Sequence, residues 1–230
     1  MTFAEQVLQF NNHLHFDESG LPQDVAVMNP FRGENADITG RICRSFYTTY
    51  YSDRERRTCI LGINPGRFGA GITGVPFTDT KRLQEYCGIR VDEFSSHEPS
   101  SVFVYKVIEA YGGPAEFYRN YYINSLCPLG FLRRNEKGNW VNYNFYDDRE
   151  LYSLVKPFMI RSVEQQLSFG INRHRAYCLG RGKNYKYMEK LNREQNWFGE
   201  IVPLDHPRYV VQYRSKYTDD YVASYLNVLE

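Results

Sequence analysis

Residues 58–69 have the sequence TCILGINPGRFG, a short apolar run that breaks off at Asn64-Pro65-Gly66. An apolar run of this length, bounded by residues that favour turns, is typical of a buried β-strand. The run therefore predicts a buried strand over residues 58–63 that stops sharply at the Asn-Pro-Gly turn.

Further strands and helices alternate along the rest of the chain. Apolar runs predict strands over residues 121–126, 175–180 and 200–204, and helical spacing of apolar residues predicts helices near 79–88, 99–111, 148–169, 182–193 and 217–229. A first helix is predicted at the N-terminus, where Thr2 and Glu5 have the spacing of a capping box. Pro157 lies inside the predicted helix over 148–169 and is expected to kink or divide it.

Strands separated by helices imply β-α-β units, and hence a parallel sheet with helices on both faces. We therefore predict an α/β fold, a three-layer α/β/α sandwich around a central four-stranded parallel sheet. The sequence contains no internal repeat or linker, so a single domain is expected over residues 1–230. Residues 17–57 are rich in Gly, Pro, Asn and charge and are expected to be irregular, so that residues 1–57 form a helix and an extension packed on the domain.

Composition excludes several classes of protein. With 42% hydrophobic and 24% charged residues the chain is not intrinsically disordered, and with 28 basic and 27 acidic side chains its net charge is only +1. Affinity for nucleic acid therefore cannot come from bulk charge. No apolar run of about 18 residues and no secretory signal occur, so no membrane association is expected. The five cysteines form no CxxC pair, which predicts free thiols and no metal site or cofactor.

Polar residues follow each predicted strand where it ends. Asn64 follows the first strand, Asn124 lies at the end of the second, Gly180-Arg181-Gly182-Lys183 follow the third and His206 the fourth. Each of these residues alone is more typical of a turn or a cap than of a ligand contact. Parallel strands bring their carboxyl ends to one edge, however, so the four together predict a site there.

Three segments resemble one enzyme family. GINPGRFGAGITGVPF (62–77) resembles the first motif of the single-strand-selective monofunctional uracil-DNA glycosylases, Gly-Met-Asn-Pro-Gly-Pro-Phe-Gly followed by Thr-Gly-Val-Pro-Phe. YINSLCPL (122–129) is similar to their base-recognition strand, His-Asn-x-x-Pro-Leu, and LDHPR (204–208) is similar to the start of their second motif. The resemblance covers about residues 58–230. It implies a uracil-DNA glycosylase-like fold and hydrolysis of the N-glycosidic bond of a damaged base, leaving an abasic site.

The resemblance also implies roles for individual residues. Asn64 matches the residue that positions the attacking water, and His206 matches the donor to uracil O2 in a dissociative mechanism. Phe77 matches the ring that stacks on the flipped base, while Asn124 is expected to read O4 and N3–H of uracil. Ile63 and Gly66 are expected to complete the base pocket. Because Ile63 and Arg67 replace a Met and a Pro of the family, the preferred base is left open among uracil, 5-hydroxymethyluracil, xanthine and hypoxanthine. No metal, cofactor or catalytic lysine is implied.

Contacts with DNA are expected to be local. Residues 173–193, the basic segment, carry seven basic side chains against Glu189, and Gly182 with Arg181 and Lys183 is expected to hold phosphate at a helix N-terminus. Arg208, Tyr209 and Arg214 follow His206, where the chain departs from the family motif, and are candidates for the wedge that opens DNA. The expected partner is single- or double-stranded DNA that contains a damaged base. The expected state is a monomer in the bacterial cytosol.

Two other functions are compatible with the same residues. A non-catalytic module that binds nucleotides or single-stranded DNA could use the same fold, although the joint presence of Asn64, Phe77, Asn124 and His206 favours an enzyme. A cysteine hydrolase could pair Cys59 or Cys127 with His206, but Cys59 lies inside an apolar strand.

Overall fold

The elements alternate between strands and helices over most of the chain. A computed structural model describes residues 1–229. The strands are β1 (Val25–Met28), β2 (Thr58–Gly62), β3 (Tyr121–Ser125), β4 (Gly130–Arg134), β5 (Trp140–Tyr143), β6 (Arg175–Leu179) and β7 (Glu200–Leu204). The helices are α1 (Phe3–His13), α2 (Ala36–Tyr50), α3 (Ala70–Thr73), α4 (Thr80–Cys87), α5 (Pro99–Ala110), α6 (Pro114–Asn120), α7 (Arg149–Leu167), α8 (Lys183–Gln195), α9 (Pro207–Tyr213) and α10 (Thr218–Leu226). Short 3-10 helices span Glu18–Gly20 and Ser215–Tyr217.

The central sheet consists of four parallel strands in the order β3-β2-β6-β7. The register of β2 against β3 pairs Leu61 with Asn124 and Gly62 with Ser125. All four strands therefore end at one edge of the sheet, where the sequence predicts the site. This arrangement confirms the predicted fold class.

Helices cover both faces of this sheet. Side chains alternate along each strand, so neighbouring strand residues contact opposite helical layers. On one face, Cys59, Leu61 and Tyr122 lie against α7, and the ring of Tyr122 lies 5.2 Å from that of Phe3 in α1. On the opposite face, the ring of Tyr121 lies 5.1 Å from that of Phe117 in α6. Residue parity thus decides which layer each strand residue contacts.

A second sheet, which was not predicted from the sequence, consists of antiparallel strands in the order β1-β4-β5. Its middle strand, β4, begins five residues after β3, at Gly130, which lies against the turn that follows β2. A Cβ on Gly130 would lie 2.8 Å from the carbonyl oxygen of Pro65 and 2.3 Å from Cε of Met28. Only glycine permits this approach, which carries the small sheet to the edge where the central strands end.

One prediction about helices is wrong, and one of the two outcomes expected at Pro157 does not occur. Residues 17–57 are not irregular, because they contain α2, whose buried residues Thr39, Ile42, Cys43, Phe46 and Tyr47 form one apolar face. Pro157 does not divide its helix, since α7 runs from Arg149 to Leu167. Pro157 and Ser153, whose carbonyl loses its helical partner, both lie on the exposed side of α7, where water can take that partner's place.

The five cysteines are free thiols, and four of them are buried. Burial raises the pKa of Cys127 to about 12 and raises that of Cys59 as well, so neither thiol is activated as a nucleophile. These pKa shifts argue against the cysteine hydrolase. Within residues 1–229, no helix is both long enough and apolar enough to cross a membrane.

Candidate active site

A cavity of about 300 Å³ lies at the edge where the central strands end. Of the residues predicted to form the site, the structure brings the following to its wall: Ile63, Asn64, Gly66, Phe77, His206 and Arg208. Asn124 does not line it. The wall also contains polar residues that were not predicted from the sequence: Glu98, Ser100, Ser125, Asn142, Asn144 and Tyr146.

Asn64 lies in the turn that follows β2. Its Nδ2 donates to the carbonyl oxygen of Pro65 over 3.3 Å, while its Oδ1 is enclosed and accepts no hydrogen bond from the protein. An enclosed acceptor without a donor costs free energy. The amide oxygen is therefore placed to accept a hydrogen bond from a molecule inside the cavity.

His206 caps the N-terminus of α9. Its Nδ1 accepts a hydrogen bond of 3.1 Å from the backbone N–H of Arg208, so Nδ1 carries no proton and Nε2 is the N–H donor of the ring. Burial, together with the positive charge of Arg208, lowers the pKa of His206 to about 4. The imidazole is thus a neutral hydrogen-bond donor at physiological pH.

Phe77 lies beside His206, with 6.2 Å between the two ring centroids. Its backbone has a φ of 52°, a left-handed conformation that is unusual for a bulky side chain. A Cβ on Gly62, the last residue of β2, would lie 3.1 Å from Cζ of Phe77. The glycine leaves room for the aromatic ring to lie against the end of the strand.

The prediction that Asn124 faces the cavity is wrong. Its Nδ2 donates to the hydroxyl of Tyr122 over 2.6 Å, its Oδ1 accepts from the backbone N–H of Ser125 over 2.8 Å, and it lies on the α1 side of the sheet. Adjacent strand residues face opposite ways, so Ser125 lies on the cavity side instead. In the family motif His-Asn-x-x-Pro-Leu, the Asn precedes Pro by three positions, which is the position of Ser125 here.

Among residues 1–229, Glu98 is the one that brings a carboxylate to the cavity wall. Its Oε2 is enclosed and has no hydrogen-bond partner in the protein. A Cβ on Gly69 would lie 1.7 Å from this oxygen, so the carboxyl group packs directly over the glycine backbone. Burial, reinforced by the negative charge of Asp79 and opposed by Arg208, raises the pKa of Glu98 to about 8.

Residues that follow β6 lie near the rim of the cavity. Gly182 caps α8, and Lys183 at the first position of this helix lies with Nζ 5.4 Å from the ring centroid of Tyr146, a wall residue. Arg181 donates through Nε to Asp205 over 2.9 Å. Lys183 and Lys186 are both exposed, and Nζ of Lys183 also lies 3.9 Å from Oδ1 of Asp147, so the N-terminal end of α8 places two basic side chains beside the cavity.

The remainder of the basic segment does not form one surface with this end. Arg175 starts β6, at the opposite edge of the sheet, and donates to Glu200 over 2.8 Å. Arg173 donates to backbone carbonyls of Asn196 and Trp197, and Arg193 forms an ion pair with Glu189 over 3.1 Å. The seven basic side chains of the basic segment therefore do not all lie on one surface.

Helix α9 extends from the cavity with aromatic side chains on its surface. Tyr213 is 64% exposed, and its ring lies 5.8 Å from that of Tyr209. Arg214 donates through Nε to the hydroxyl of Tyr209 over 2.9 Å. The predicted wedge residues Arg208, Tyr209 and Arg214 thus lie together on one short helix and its C-terminus.

Among residues 1–229, no group of three or more His, Cys, Asp or Glu side chains is arranged to hold a metal ion.

Comparison with known proteins gives consistent results. The model of the family described as "Uracil DNA glycosylase superfamily" matches residues 48–230. The chain is 28% identical over 148 residues to the single-strand selective monofunctional uracil-DNA glycosylases of Rattus norvegicus and Mus musculus, covering 56% of this chain and 50% of each relative. It thus spans about half the length of these curated relatives.

The structure also resembles a solved one over nearly its full length. The crystal structure of wild-type Pedobacter heparinus SMUG2 superimposes with a TM-score of 0.95 and 45% sequence identity, covering 99% of this chain and 97% of that one. The fold, the three sequence motifs and the match over most of the chain agree, and the chain belongs to the uracil DNA glycosylase superfamily.

Proposed function

We propose that this protein hydrolyses the N-glycosidic bond of uracil, or of a related deaminated or 5-modified base, in DNA and leaves an abasic site. The observation that carries the proposal is the meeting of Asn64, Phe77 and His206 in one cavity, where burial keeps the imidazole neutral and the backbone N–H of Arg208 donates to its Nδ1. The names of the similar glycosylases from rat and mouse support the same reaction class.

The chemistry requires the base to leave with the electron pair of the glycosidic bond. Negative charge then develops on the base, and positive charge develops on the sugar. A neutral Nε2–H donor at His206 stabilises an anionic base oxygen, and such a fixed donor is commonly worth roughly 3–4 kcal/mol in the transition state. The amide oxygen of Asn64 orients the water that adds to C1′ of the sugar.

The base is held by stacking and by its hydrogen-bonding edge. A flipped base that enters the cavity can stack on Phe77, which lies beside His206. The edge is read by Ser125, whose hydroxyl is both a donor and an acceptor. An amide at this position would demand one fixed pattern of donors and acceptors, whereas a hydroxyl rotates. This difference favours acceptance of more than one deaminated base.

Exchange of the two neighbouring polar residues of β3 tests this assignment. Ser125→Ala is expected to lower kcat/KM for uracil about tenfold, the effect of one lost hydrogen bond, with little change in stability. Asn124→Ala removes two buried hydrogen bonds and is expected to lower the free energy of unfolding by about 1–3 kcal/mol, with excision by the folded protein nearly unchanged. Steady-state kinetics and urea unfolding measure both effects. Loss of activity in Asn124→Ala with no loss in Ser125→Ala would show that Asn124 reads the base.

Binding of the DNA backbone is proposed at the N-terminal end of α8. The double variant Lys183→Glu/Lys186→Glu is expected to weaken binding of a single-stranded oligonucleotide and to reduce the slope of log Kd against log salt by about 1–2. Lys190→Glu/Arg193→Glu, near the other end of the same helix, is the matched control and should leave the slope unchanged. Equal effects of the two double variants would show that the charge of the helix acts nonspecifically.

The proposed function is tested with labelled oligonucleotides that contain one uracil, 5-hydroxymethyluracil, xanthine or hypoxanthine. Each is incubated with the protein in single- and double-stranded form and then treated with alkali. A monofunctional glycosylase gives strand breaks only after alkali, and their rates rank the bases and strand forms. Binding of these oligonucleotides without any alkali-dependent cleavage would overturn the proposal in favour of a non-catalytic binding module.

A further inference from the structure

We infer that the Glu98 carboxylate is a second catalytic group, which accepts the proton of the water that Asn64 orients. The inference rests on the proposed function, since it assigns a role within that reaction. It does not follow from the resemblance to the glycosylase motifs, none of which includes this residue.

The fold holds Glu98 in place without using its carboxyl group. Glu98 is the N-cap residue of α5, and its backbone N–H donates to Oδ2 of Asp79 over 2.9 Å. An N-cap carboxylate commonly accepts from the first N–H groups of its own helix, but Glu98 makes no such bond. Its side chain turns instead to the wall of the cavity and packs over Gly69.

In the described part of the chain, two enclosed oxygens of this cavity have no hydrogen-bond partner in the protein. They are Oε2 of Glu98 and Oδ1 of Asn64, and both residues line the same wall. Buried polar atoms are rarely left without a hydrogen bond, and a water molecule in a polar cavity commonly satisfies several of them. A water has two O–H donors and can therefore serve the amide oxygen and the carboxylate oxygen together.

The charged and titratable groups around Glu98 set when its carboxyl group is ionised. Asp79 is fully buried behind it, with Arg82 and His97 each 3.6 Å from the Asp79 carboxylate, while Arg208 and His206 face Glu98 from the start of α9. Burial and Asp79 raise its pKa to about 8, against the attraction of Arg208. A base with a pKa near the working pH is suited to proton transfer.

The proposed step balances as follows. The C1′–N bond breaks and its electron pair leaves with the base, while the water oxygen forms a bond to C1′. The proton lost by this water passes to the ionised carboxylate of Glu98, which later releases it to the departing base or to solvent. Before the transfer, the carboxylate also stabilises the positive charge on the sugar. Asn64 cannot take the proton, because an amide is a very weak base.

Comparison of wild type with Glu98→Gln tests the inference, since the amide has the shape of the carboxyl group and cannot ionise. Single-turnover excision of uracil from a single-stranded oligonucleotide is measured from pH 6 to 9. The wild-type rate is expected to rise about tenfold per pH unit and to level off near pH 8. The Glu98→Gln rate is expected to be independent of pH and about 10²-fold below wild type on the plateau.

The stability of the two proteins shows separately whether the carboxyl group is buried as described. A folded-state pKa of about 8 lies above the unfolded value, so the folded state binds more protons between those two pKa values. Wild type is therefore expected to lose stability as pH rises from about 5 to 8. The Tm of Glu98→Gln should be close to that of wild type at pH 5 and several degrees higher at pH 8.

Three outcomes overturn the inference. The first is a Glu98→Gln rate at pH 8 equal to that of wild type. The second is a slow Glu98→Gln variant that keeps the wild-type pH profile, because the loss of rate would then have a structural cause. Both leave the proposed glycosylase activity intact, since wild type still releases uracil. If wild type releases no base from any of the oligonucleotides, the proposed function fails and the role of Glu98 fails with it.

Discussion

Replacing Asn64 with alanine is expected to lower the single-turnover rate of uracil excision by about 10²–10³-fold and to leave the Kd for single-stranded DNA nearly unchanged. The enclosed Oδ1 of Asn64 has no partner in the protein, so its removal costs little in stability. What is lost is the acceptor that holds the attacking water in line with the sugar, and misplacing a reactant by about 1 Å can cost 10²-fold.

Asn64→Asp is the matched control for this prediction. Aspartate keeps an oxygen acceptor of nearly the same shape and adds a carboxylate, so it should retain much more activity than alanine does. Quenched-flow excision and fluorescence anisotropy measure rate and affinity on the same labelled oligonucleotide. Equal excision rates for Asn64→Ala and wild type would show that Asn64 does not position the attacking water.

Replacing His206 with alanine is expected to reduce the excision rate by about 10²–10³-fold, because the transition state loses a fixed donor to the anionic base. His206→Gln keeps an N–H donor and should recover part of the loss. In wild type, a His206 pKa of about 4 means that this ring stays neutral from pH 5 upward. A break in the rate near pH 6.5 that disappears in His206→Gln would contradict a neutral imidazole.

The same pKa shift affects stability in a definite direction. His206 is neutral in the folded protein but takes up a proton on unfolding once the pH is below about 6.5. Its contribution is therefore lost as pH falls from about 6.5 toward 4. Thermal unfolding of His206→Gln should be less sensitive to pH over this range than that of wild type.

The central sheet and its orientation could be predicted from the sequence because their signals are local. The apolar run before Asn64 and the three later runs lie within one or two residues of β2, β3, β6 and β7. Turn residues at Asn64 and Pro128 mark where two of these strands end. Helices between the strands then leave a parallel sheet as the simplest topology.

The sequence pattern alone does not determine which residues of β3 face the cavity. Asn124 and Ser125 are both polar and adjacent, and a shift of one residue exchanges the two faces of a strand. The spacing to Pro128 carried the correct signal, because the family motif places its Asn three residues before Pro. The hydrogen-bonding groups of an amide match uracil and favour Asn124, whereas the spacing to Pro128 favours Ser125.

Helix α2 and the second sheet were missed for different reasons. The spacing of Thr39, Ile42, Cys43 and Phe46 fits one face of a helix, but neighbouring Gly and Asn residues obscured it. Strands β1 and β5 have only four residues each, and these residues are mostly half-buried or exposed, so no buried alternating pattern marks them. The wall residues Asn142 and Asn144 depend on this sheet and could not be placed without it.

Glu98 has no motif of its own. It stands before a proline that begins a helix, where an acidic residue is common and ordinarily exposed. The packing of α5 against the turn around Gly69 encloses the carboxyl group, and this burial, together with the charge of Asp79, raises its pKa. Such a role depends on contacts between distant segments, which sequence spacing does not record.

The most direct test of the account is to measure free base released from a single-stranded oligonucleotide that contains one uracil. Chromatography quantifies the uracil, and a denaturing gel before alkali treatment shows whether the strand is intact. We expect one equivalent of free uracil with an uncut strand from wild type, and almost none from Asn64→Ala in the same time. A bound oligonucleotide that releases no uracil, or a rate that Asn64→Ala does not change, would contradict the hydrolysis proposed at this cavity.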